Sequence, residues 1–487
     1  AEWVLMQLAT AKAGLVLVNI NPAYRTAEVE YALNKVDCKA LVTMPRFKTS
    51  DYIGMLRELA PEWAHAKAGE PLESQTLPHL KHAIWIDVAG EGADEPGFMR
   101  FSDLIQRGDP ADERVARIAR LLHPRDPINV QFTSGTTGFP KGATLTHRNI
   151  LNNGFFIGEA MKLTHEDRLC IPVPLYHCFG MVLGNLAVLT HGGCIVYPND
   201  AFDALTVLQT VQAEKCTGLH GVPTMFIAEL DHPDFAKYDL STLRTGIMAG
   251  SPCPVEVMKR VQADMNMAEV TIAYGMTETS PVSCQSSTDT PLDKRVSTVG
   301  LVQPHLEIKI IDPDSGQTVP RGATGELCTK GYSVMQGYWG DDARTREAID
   351  AEGFMHTGDL ATMDDEGYVN IVGRIKDMVI RGGENVYPRE IEEFLYRHPQ
   401  IQDVQVVGVP DQKFGEELCA WIIAKPGQTL DEAGVREFCK GKIAHYKVPR
   451  YMKFVDAFPM TITGKIQKFR IRELMQEELG LSEQKTA

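Results

Sequence analysis

Apolar residues near the start of the chain recur in two rhythms. Trp3, Leu5, Met6, Leu8 and Ala9 fall at helical spacing until Gly14, and the run Leu15-Val16-Leu17-Val18-Asn19-Ile20 then reads as a buried strand stopped by Asn21-Pro22. Thr26 is placed as the cap of a second helix through Tyr31 and Leu33, and Ala40-Leu41-Val42-Thr43 reads as another short strand. Strands alternating with helices predict a parallel sheet with both faces covered. The polar, Gly/Pro-punctuated stretches 67–77 and 88–97 read as surface loops, and no internal repeat interrupts the pattern.

The texture changes from about residue 300. Ile308-Lys309-Ile310-Ile311-Asp312, Gly325-Glu326-Leu327-Cys328-Thr329 and Gly367-Tyr368-Val369-Asn370-Ile371-Val372 are short strands between turn signals such as Asp314-Ser315-Gly316, which predicts a β-rich subdomain. Beyond Arg374 a compact unit follows: strand Met378–Ile380, a helix from Pro388, strands Val404–Val409 and Cys419–Ala424, a helix from Leu430, and strand Tyr451–Val455. The expected fold class is therefore α/β. A large N-terminal domain (1–373) of parallel-rich α/β subdomains, β-rich from about 300, precedes a small α+β C-terminal lobe (377–487), with the boundary near 374–377.

Composition narrows the partners. Hydrophobic residues at 44% and charged residues at 23% are ordinary for a folded globular chain and exclude a disordered one. A net charge of −15 disfavours nucleic acid and anionic lipid surfaces. The apolar run Phe179–Leu189 is shorter than the roughly 20 residues a membrane-spanning helix needs, so no transmembrane segment is expected. The ten cysteines form no C-x-x-C pair and no zinc-type spacing, which points to reduced thiols in a reducing compartment. The chain opens at Ala1 inside a running helical pattern without methionine, so upstream sequence, and any targeting peptide with it, is expected to be missing. A cytoplasmic location is the expectation, with a mitochondrial one left open for that reason; oligomeric state is not legible.

The densest chemistry lies in Thr133-Ser134-Gly135-Thr136-Thr137-Gly138-Phe139-Pro140-Lys141-Gly142, directly after the strand-like Ile128–Gln131. Glycines let backbone amides approach an oxyanion, hydroxyls donate to it and Lys141 adds a point charge, so the string reads as a phosphate cradle. It is not a Walker A loop, because the lysine stands three residues after Gly138 and precedes Gly142. Three glycines alone would equally suit a surface loop.

This string resembles the ATP-binding signature of the adenylate-forming (AMP-binding) superfamily, and the resemblance extends over essentially the whole chain. It is closest to the fatty-acyl-CoA synthetases, in particular the medium-chain type called acyl-CoA synthetase family member 2. The later motifs follow in the family's order, each with a bland reading beside it. Ala249-Gly250-Ser251-Pro252 resembles the segment bordering adenine, though alone it is an ordinary turn. Tyr274-Gly275-Met276-Thr277-Glu278 resembles the element whose tyrosine stacks on adenine, whose threonine meets the α-phosphate and whose glutamate binds Mg²⁺. Trp339-Gly340 and His356-Thr357-Gly358-Asp359 match as well; an ionised Asp359 can accept both ribose hydroxyls. Arg374 reaches the ribose by resemblance, Lys376 is the hinge about which the small lobe moves, and Gly382-Gly383 lets the pantetheine of CoA pass the backbone.

Near the end of the chain, Thr461-Ile462-Thr463-Gly464-Lys465 resembles the loop with the family's adenylation lysine, which makes Lys465 both a catalytic and an ATP-binding candidate. On the acyl side, Pro174-Leu175-Tyr176-His177 resembles the element at the substrate carboxylate, and Val222-Pro223 is expected to border the acyl pocket with apolar walls. A histidine between apolar neighbours is also commonly a core residue. The resemblance implies an AMP-forming acid–thiol ligase that joins a fatty acid, medium-chain by resemblance, to CoA through an acyl-adenylate, with ATP, Mg²⁺ and CoA required. Its rivals are an acyl-AMP ligase loading a separate carrier protein, an enzyme using the same adenylation for light emission or oxygenation, and a nucleotide-binding protein without turnover.

Overall fold

Local chemistry sets the helix starts. Asp51, Asp203 and Asp431 each accept a hydrogen bond from the backbone N–H three residues on, capping the helices Tyr52–Leu59, Ala204–Glu214 and Glu432–Cys439. The computed structural model describes residues 1–87, 95–133, 140–251, 253–382, 384–411, 413–440, 442–461 and 465–481. The chain divides into two units: 1–150 with 175–178 and 335–348, and 151–174 with 179–334 and 349–487.

The first unit holds a four-stranded sheet in the order Leu17–Asn19, Pro127–Thr133, Lys141–Thr146, Gly337–Tyr338, of which only the first pair is parallel. A separate parallel sheet runs Ala40–Thr43, His82–Trp85, Phe98–Arg100. Its core gathers Leu56, Trp63, Leu72, Leu77, Leu80 and Phe98, with the Trp63 and Phe98 rings edge to face at 5.9 Å.

In the second unit a seven-stranded sheet starts with five parallel strands, Cys194–Val196, Arg168–Cys170, Gly218–Leu219, Thr245–Ala249 and Glu269–Gly275, and ends in the antiparallel Val282–Gln285 and Leu301–Val302. The β-rich segment is an antiparallel sheet of Leu306–Ile311, Gly325–Gly331, Met355–Met363 and Val369–Arg374. One core joins the two sheets, with Leu219, Met248 and Val270 from the first and Leu327, Ala361 and Val369 from the second. The architecture is thus α/β with several sheets and a C-terminal α+β portion.

That last portion shows how period-2 alternation serves two cores. The antiparallel strands Ile401–Asp411 and Gly415–Ala424 carry Val404, Val406, Leu418, Ala420 and Ile422 toward the helix Pro388–Leu395, and Val407, Val409, Cys419 and Trp421 toward the helix Lys468–Leu479. Tyr451–Phe454 adds in parallel to Gly415–Ala424.

Several expectations shift. The strand at Leu15–Ile20 contracts to Leu17–Asn19, with Leu15 59% exposed, because only the pairing with Asn129–Gln131 fixes it. Thr26 is the first helical residue rather than the cap. Arg25 holds that place, and the Glu28 carboxylate reaches back to accept its N–H at 2.8 Å, so the start signal comes from within the helix. The stretch 67–77 forms no helix or strand, yet Leu72 and Leu77 are 1% exposed and fill the core beside Trp63, so it is not a surface loop throughout. Of 88–97, residues 88–94 lie outside the described residues. The parallel strands are joined by antiparallel ones in both large sheets, which makes them mixed. Phe179–Leu186 and Ala187–His191 are helical, and among the described residues no helix is long and apolar enough to cross a membrane.

An ion pair pins the edge of the C-terminal sheet. Arg381 donates to both carboxylate oxygens of Glu417, at 2.8 and 2.7 Å, with the Glu417 side chain 1% exposed. Removing Arg381 leaves the buried Glu417 carboxylate without its two-point partner, so Arg381→Ala is expected to cost about 3–5 kcal/mol in urea unfolding; a loss below about 1 kcal/mol would refute the assignment.

Candidate functional site

The candidate residues fall in both units, and each set is described by itself. In the first unit, the strands Pro127–Thr133 and Lys141–Thr146 pair so that Thr133 stands opposite Lys141, at the two flanks of the Gly/Ser/Thr string. Ser134, Gly135, Thr136, Thr137, Gly138 and Phe139 lie outside the described residues. Of the remainder, Thr133, Pro140 and Lys141 are half-buried and Gly142 is buried. The Lys141 ammonium sits over the Tyr338 ring, 4.9 Å from its centroid, and the Trp339 N–H donates to the Gly142 carbonyl at 2.8 Å. A Cβ on Gly142 would come within 2.9 Å of Val130, so the glycine is required by packing as well as by any ligand. His177 is half-buried just ahead of Phe179–Leu186. Its neighbour Tyr176 buries a hydroxyl with no hydrogen-bond partner, and burial pushes that phenol's pKa up.

In the second unit the central feature is a carboxylate held from two sides. Antiparallel pairing places Asp359 opposite Arg374, whose Nε lies 3.2 Å from Oδ1, while the Tyr274 hydroxyl donates to Oδ2 at 2.7 Å. Burial pushes the Asp359 carboxyl up from the ordinary aspartate value; Arg374 and Tyr274 oppose that shift without cancelling it. The Thr-Gly-Asp turn is itself braced, because Glu326 accepts the Gly358 N–H at 2.9 Å and the Thr357 hydroxyl donates to the Leu327 carbonyl at 2.6 Å.

Tyr274 and Gly275 end the strand Glu269–Gly275, and Thr277 opens a short 3₁₀ turn in which Glu278 is buried. Gly275 is exposed, yet a Cβ there would stand 1.7 Å from the Pro281 carbonyl oxygen, so no larger residue fits. The strand Thr245–Ala249 leads into Gly250 at φ +93° and Ser251; Pro252 lies outside the described residues. A Cβ on Gly250 would meet Val222 Cγ1 at 3.1 Å and the Lys465 Cε at 3.9 Å. Three predicted elements thus converge on one glycine: the turn after Ala249, the Val222-Pro223 start of the helix Pro223–Leu230, and the stem of Lys465. The Lys465 backbone is fixed by exchange with Thr461, whose N–H donates to its carbonyl at 2.7 Å and whose hydroxyl accepts its N–H at 3.0 Å.

Lys376 is exposed in the 3₁₀ turn Ile375–Asp377, next to Arg374. Gly382 adopts φ +60° and donates its N–H to Phe414 at 2.7 Å, while Gly383 lies outside the described residues. The structure therefore brings together Tyr274, Asp359 and Arg374, and separately Gly250, Val222 and Lys465.

Four contributors escape sequence reading. Tyr338 under Lys141, Glu326 behind Gly358 and Glu417 behind Arg381 act through pairing partners far away in the chain. His220 is fully buried ahead of Gly221-Val222-Pro223: its Nδ1 accepts from the Ile247 N–H at 3.1 Å, which leaves Nε2–H to donate to the Leu183 carbonyl at 3.0 Å. Burial pulls its pKa down to about 4, so it is a neutral strut rather than a charged ligand. The only signal for any of these would have been knowledge of the register.

Residues 1–339 match the family described as AMP-binding enzyme, and residues 390–465 match the AMP-binding enzyme C-terminal domain. The chain is 52% identical over 489 residues to YngI of Bacillus subtilis, named provisionally as an acyl-CoA synthetase, covering 99% of this chain and 87% of that protein. It is 48% identical over 484 residues to the mitochondrial medium-chain acyl-CoA ligase ACSF2 of Danio rerio, covering 99% and 79%. Among solved structures, the anthranilate CoA ligase AuaEII in complex with anthranoyl-AMP superposes with a TM-score of 0.85 at 28% identity, covering 99% of this chain and 86% of that one.

The direction of the Asp359 shift has a sign that can be tested. An acid whose folded pKa is raised favours the fold when protonated, and that advantage is lost as pH rises above the ordinary value of 3.8. Asp359→Asn is permanently neutral. In ligand-free protein its melting temperature relative to the parent is expected to climb between pH 4 and pH 7, and a difference flat across that range, or falling, would overturn the assignment.

Proposed function

The chain belongs to the AMP-binding enzyme family, and on that premise we propose that it is an AMP-forming acid–thiol ligase that activates a medium-chain fatty acid through an acyl-adenylate and passes it to CoA. The observation that carries the reading is the placement of Lys465 beside Gly250, in the same unit as the Tyr274–Asp359–Arg374 cluster. That unit therefore carries both a cation on a flexible stem beside Gly250 and a group of residues suited to a nucleoside. The medium-chain assignment rests on the zebrafish relative's name, and the adenylate on the bound anthranoyl-AMP of the related ligase.

In the first half-reaction the Tyr274 ring offers a face to adenine, and Asp359, steered by Arg374, accepts the ribose hydroxyls. Thr133, Lys141 and Gly142, with residues 134–139 of the same string, are assigned to the phosphates. A carboxylate oxygen of the fatty acid attacks the α-phosphorus, and pyrophosphate leaves with the bonding electron pair. Two anions must approach each other, so the main work is charge neutralisation and positioning, to which Lys465, Lys141 and the Thr277 hydroxyl contribute. Glu278 offers a hard carboxylate oxygen of the kind that suits Mg²⁺, and the ion, when bound, would add to the neutralisation of phosphate charge. Val222 and Pro223 offer apolar wall, and His177 is assigned to the carboxylate end of the acid.

In the second half-reaction the CoA thiolate attacks the acyl carbonyl carbon and AMP departs. Gly382 and Gly383 are assigned to the pantetheine passage, and Lys376 to the hinge between the domain 1–373 and the lobe 377–487, so that Lys465 serves the first step and Gly383 the second. The free cysteines suit a reducing compartment, whether cytoplasm or mitochondrial matrix.

The test separates the two half-reactions. With Mg·ATP and a C2–C16 acid panel, pyrophosphate release is expected to peak with medium-chain acids, and CoA is expected to convert it to steady acyl-CoA production. Lys465→Ala should slow acyl-AMP formation about 10²- to 10³-fold while sparing thioester formation from supplied acyl-AMP. Equal loss of both steps would remove Lys465 from its assigned role, and release with no acid on the panel would remove the substrate class.

A further inference from the structure

We propose that Glu326, Cys328 and His356 form a binding site for a zinc-class divalent cation. Glu326 and Cys328 stand two apart on the strand Gly325–Gly331 and so share one face, and the antiparallel register sets His356 directly opposite Cys328. Among the described residues this is the group of His, Cys, Asp and Glu side chains whose ligand atoms converge, all within 4.8 Å of one another. Cys328 Sγ lies 3.7 Å and Glu326 Oε2 3.0 Å from the same atom, His356 Nδ1.

Tetrahedral zinc with ordinary bond lengths spaces sulfur and nitrogen by about 3.6 Å, and nitrogen and oxygen by about 3.4 Å, so both contacts to His356 Nδ1 lie within a few tenths of an ångström of that geometry. A His–Glu hydrogen bond alone accounts for the shorter contact but not for the thiol held against the same nitrogen. The surroundings match those of a ligating histidine as well. His356 turns its other nitrogen, Nε2, to 3.7 Å from the Asp350 carboxylate, an acceptor close by but beyond hydrogen-bond distance. Glu326 keeps Oε1 on the Gly358 N–H, leaving Oε2 for the site. Lys309 lies nearby, but it is engaged by Asp350 and Glu352 at 3.3 and 3.1 Å. Cys328 is fully buried and His356 half-buried, so access to the cluster is from the histidine side.

Burial, with the Glu326 charge, pushes the Cys328 thiol up to about 12, so the cation displaces its proton: the S–H bond breaks, the sulfur–metal bond forms and one proton goes to solvent. Cysteine spacing could not reveal this site, because its ligands come from two strands that only pairing unites.

Cobalt(II) tests it on the metal-free full chain, because cobalt reports its ligands optically. Titration is expected to saturate at one equivalent, with tetrahedral visible bands and a near-ultraviolet thiolate-to-cobalt band. In Cys328→Ser the thiolate band should vanish although nine other cysteines remain. His356→Gln should weaken cobalt binding at least tenfold in protein that still melts cooperatively. No thiolate band in the parent, a band of equal strength in Cys328→Ser, or unaltered affinity in His356→Gln would each overturn the proposal.

Discussion

A carboxylate taken out of water must be held, and the holding of Asp359 organises much of the second unit. Its partners come from two different sheets: Tyr274 from near the end of an interior strand of the seven-stranded sheet and Arg374 from the end of the edge strand of the antiparallel one. The hydrophobic core that runs between those sheets therefore keeps the carboxylate's two partners in place. Without Tyr274 and Arg374 the charge would face burial alone, and burial already dominates its titration. Such a group costs stability in the ligand-free protein and is understandable where a ligand's hydroxyls complete its hydrogen bonds.

Support around this group is layered. Glu326 and Leu327 hold Gly358 and Thr357, which present Asp359, and the same Glu326 contributes to the Cys328–His356 cluster. Occupancy of that cluster would thus bear on the turn carrying the carboxylate through one shared side chain. Elsewhere in the unit, Gly250 leaves room for Val222 and Lys465 beside it, and His220, neutral and fully buried, ties the strand ahead of Val222 to its neighbours. Glycines at 250 and 275 are fixed by contacts with the protein's own atoms as firmly as by any ligand.

Much of this was legible in the sequence, and the reason is physical. A turn that must present a hydroxyl, a carboxylate or a lysine is encoded over five to ten consecutive residues, so Tyr274–Glu278, His356–Asp359 and Thr461–Lys465 can be read locally. Strand positions were legible where the period-2 alternation was sustained, as in Val404–Val409, and failed where pairing alone decides, as at Leu15. The start of the second helix was misplaced because Glu28 acts on Arg25 from inside the helix. Tyr338, Glu326, Glu417 and the convergence of Cys328 with His356 depend on register across strands, which no local pattern carries.

The central claim is that a carboxylic acid is adenylated before CoA takes part. ATP–pyrophosphate exchange, followed with labelled pyrophosphate and Mg·ATP in the absence of CoA, reads that step alone. The account predicts label entering ATP only when a fatty acid is present, and exchange about 10²- to 10³-fold slower in Lys465→Ala; acyl-CoA formation by a protein that shows no acid-dependent exchange would contradict it.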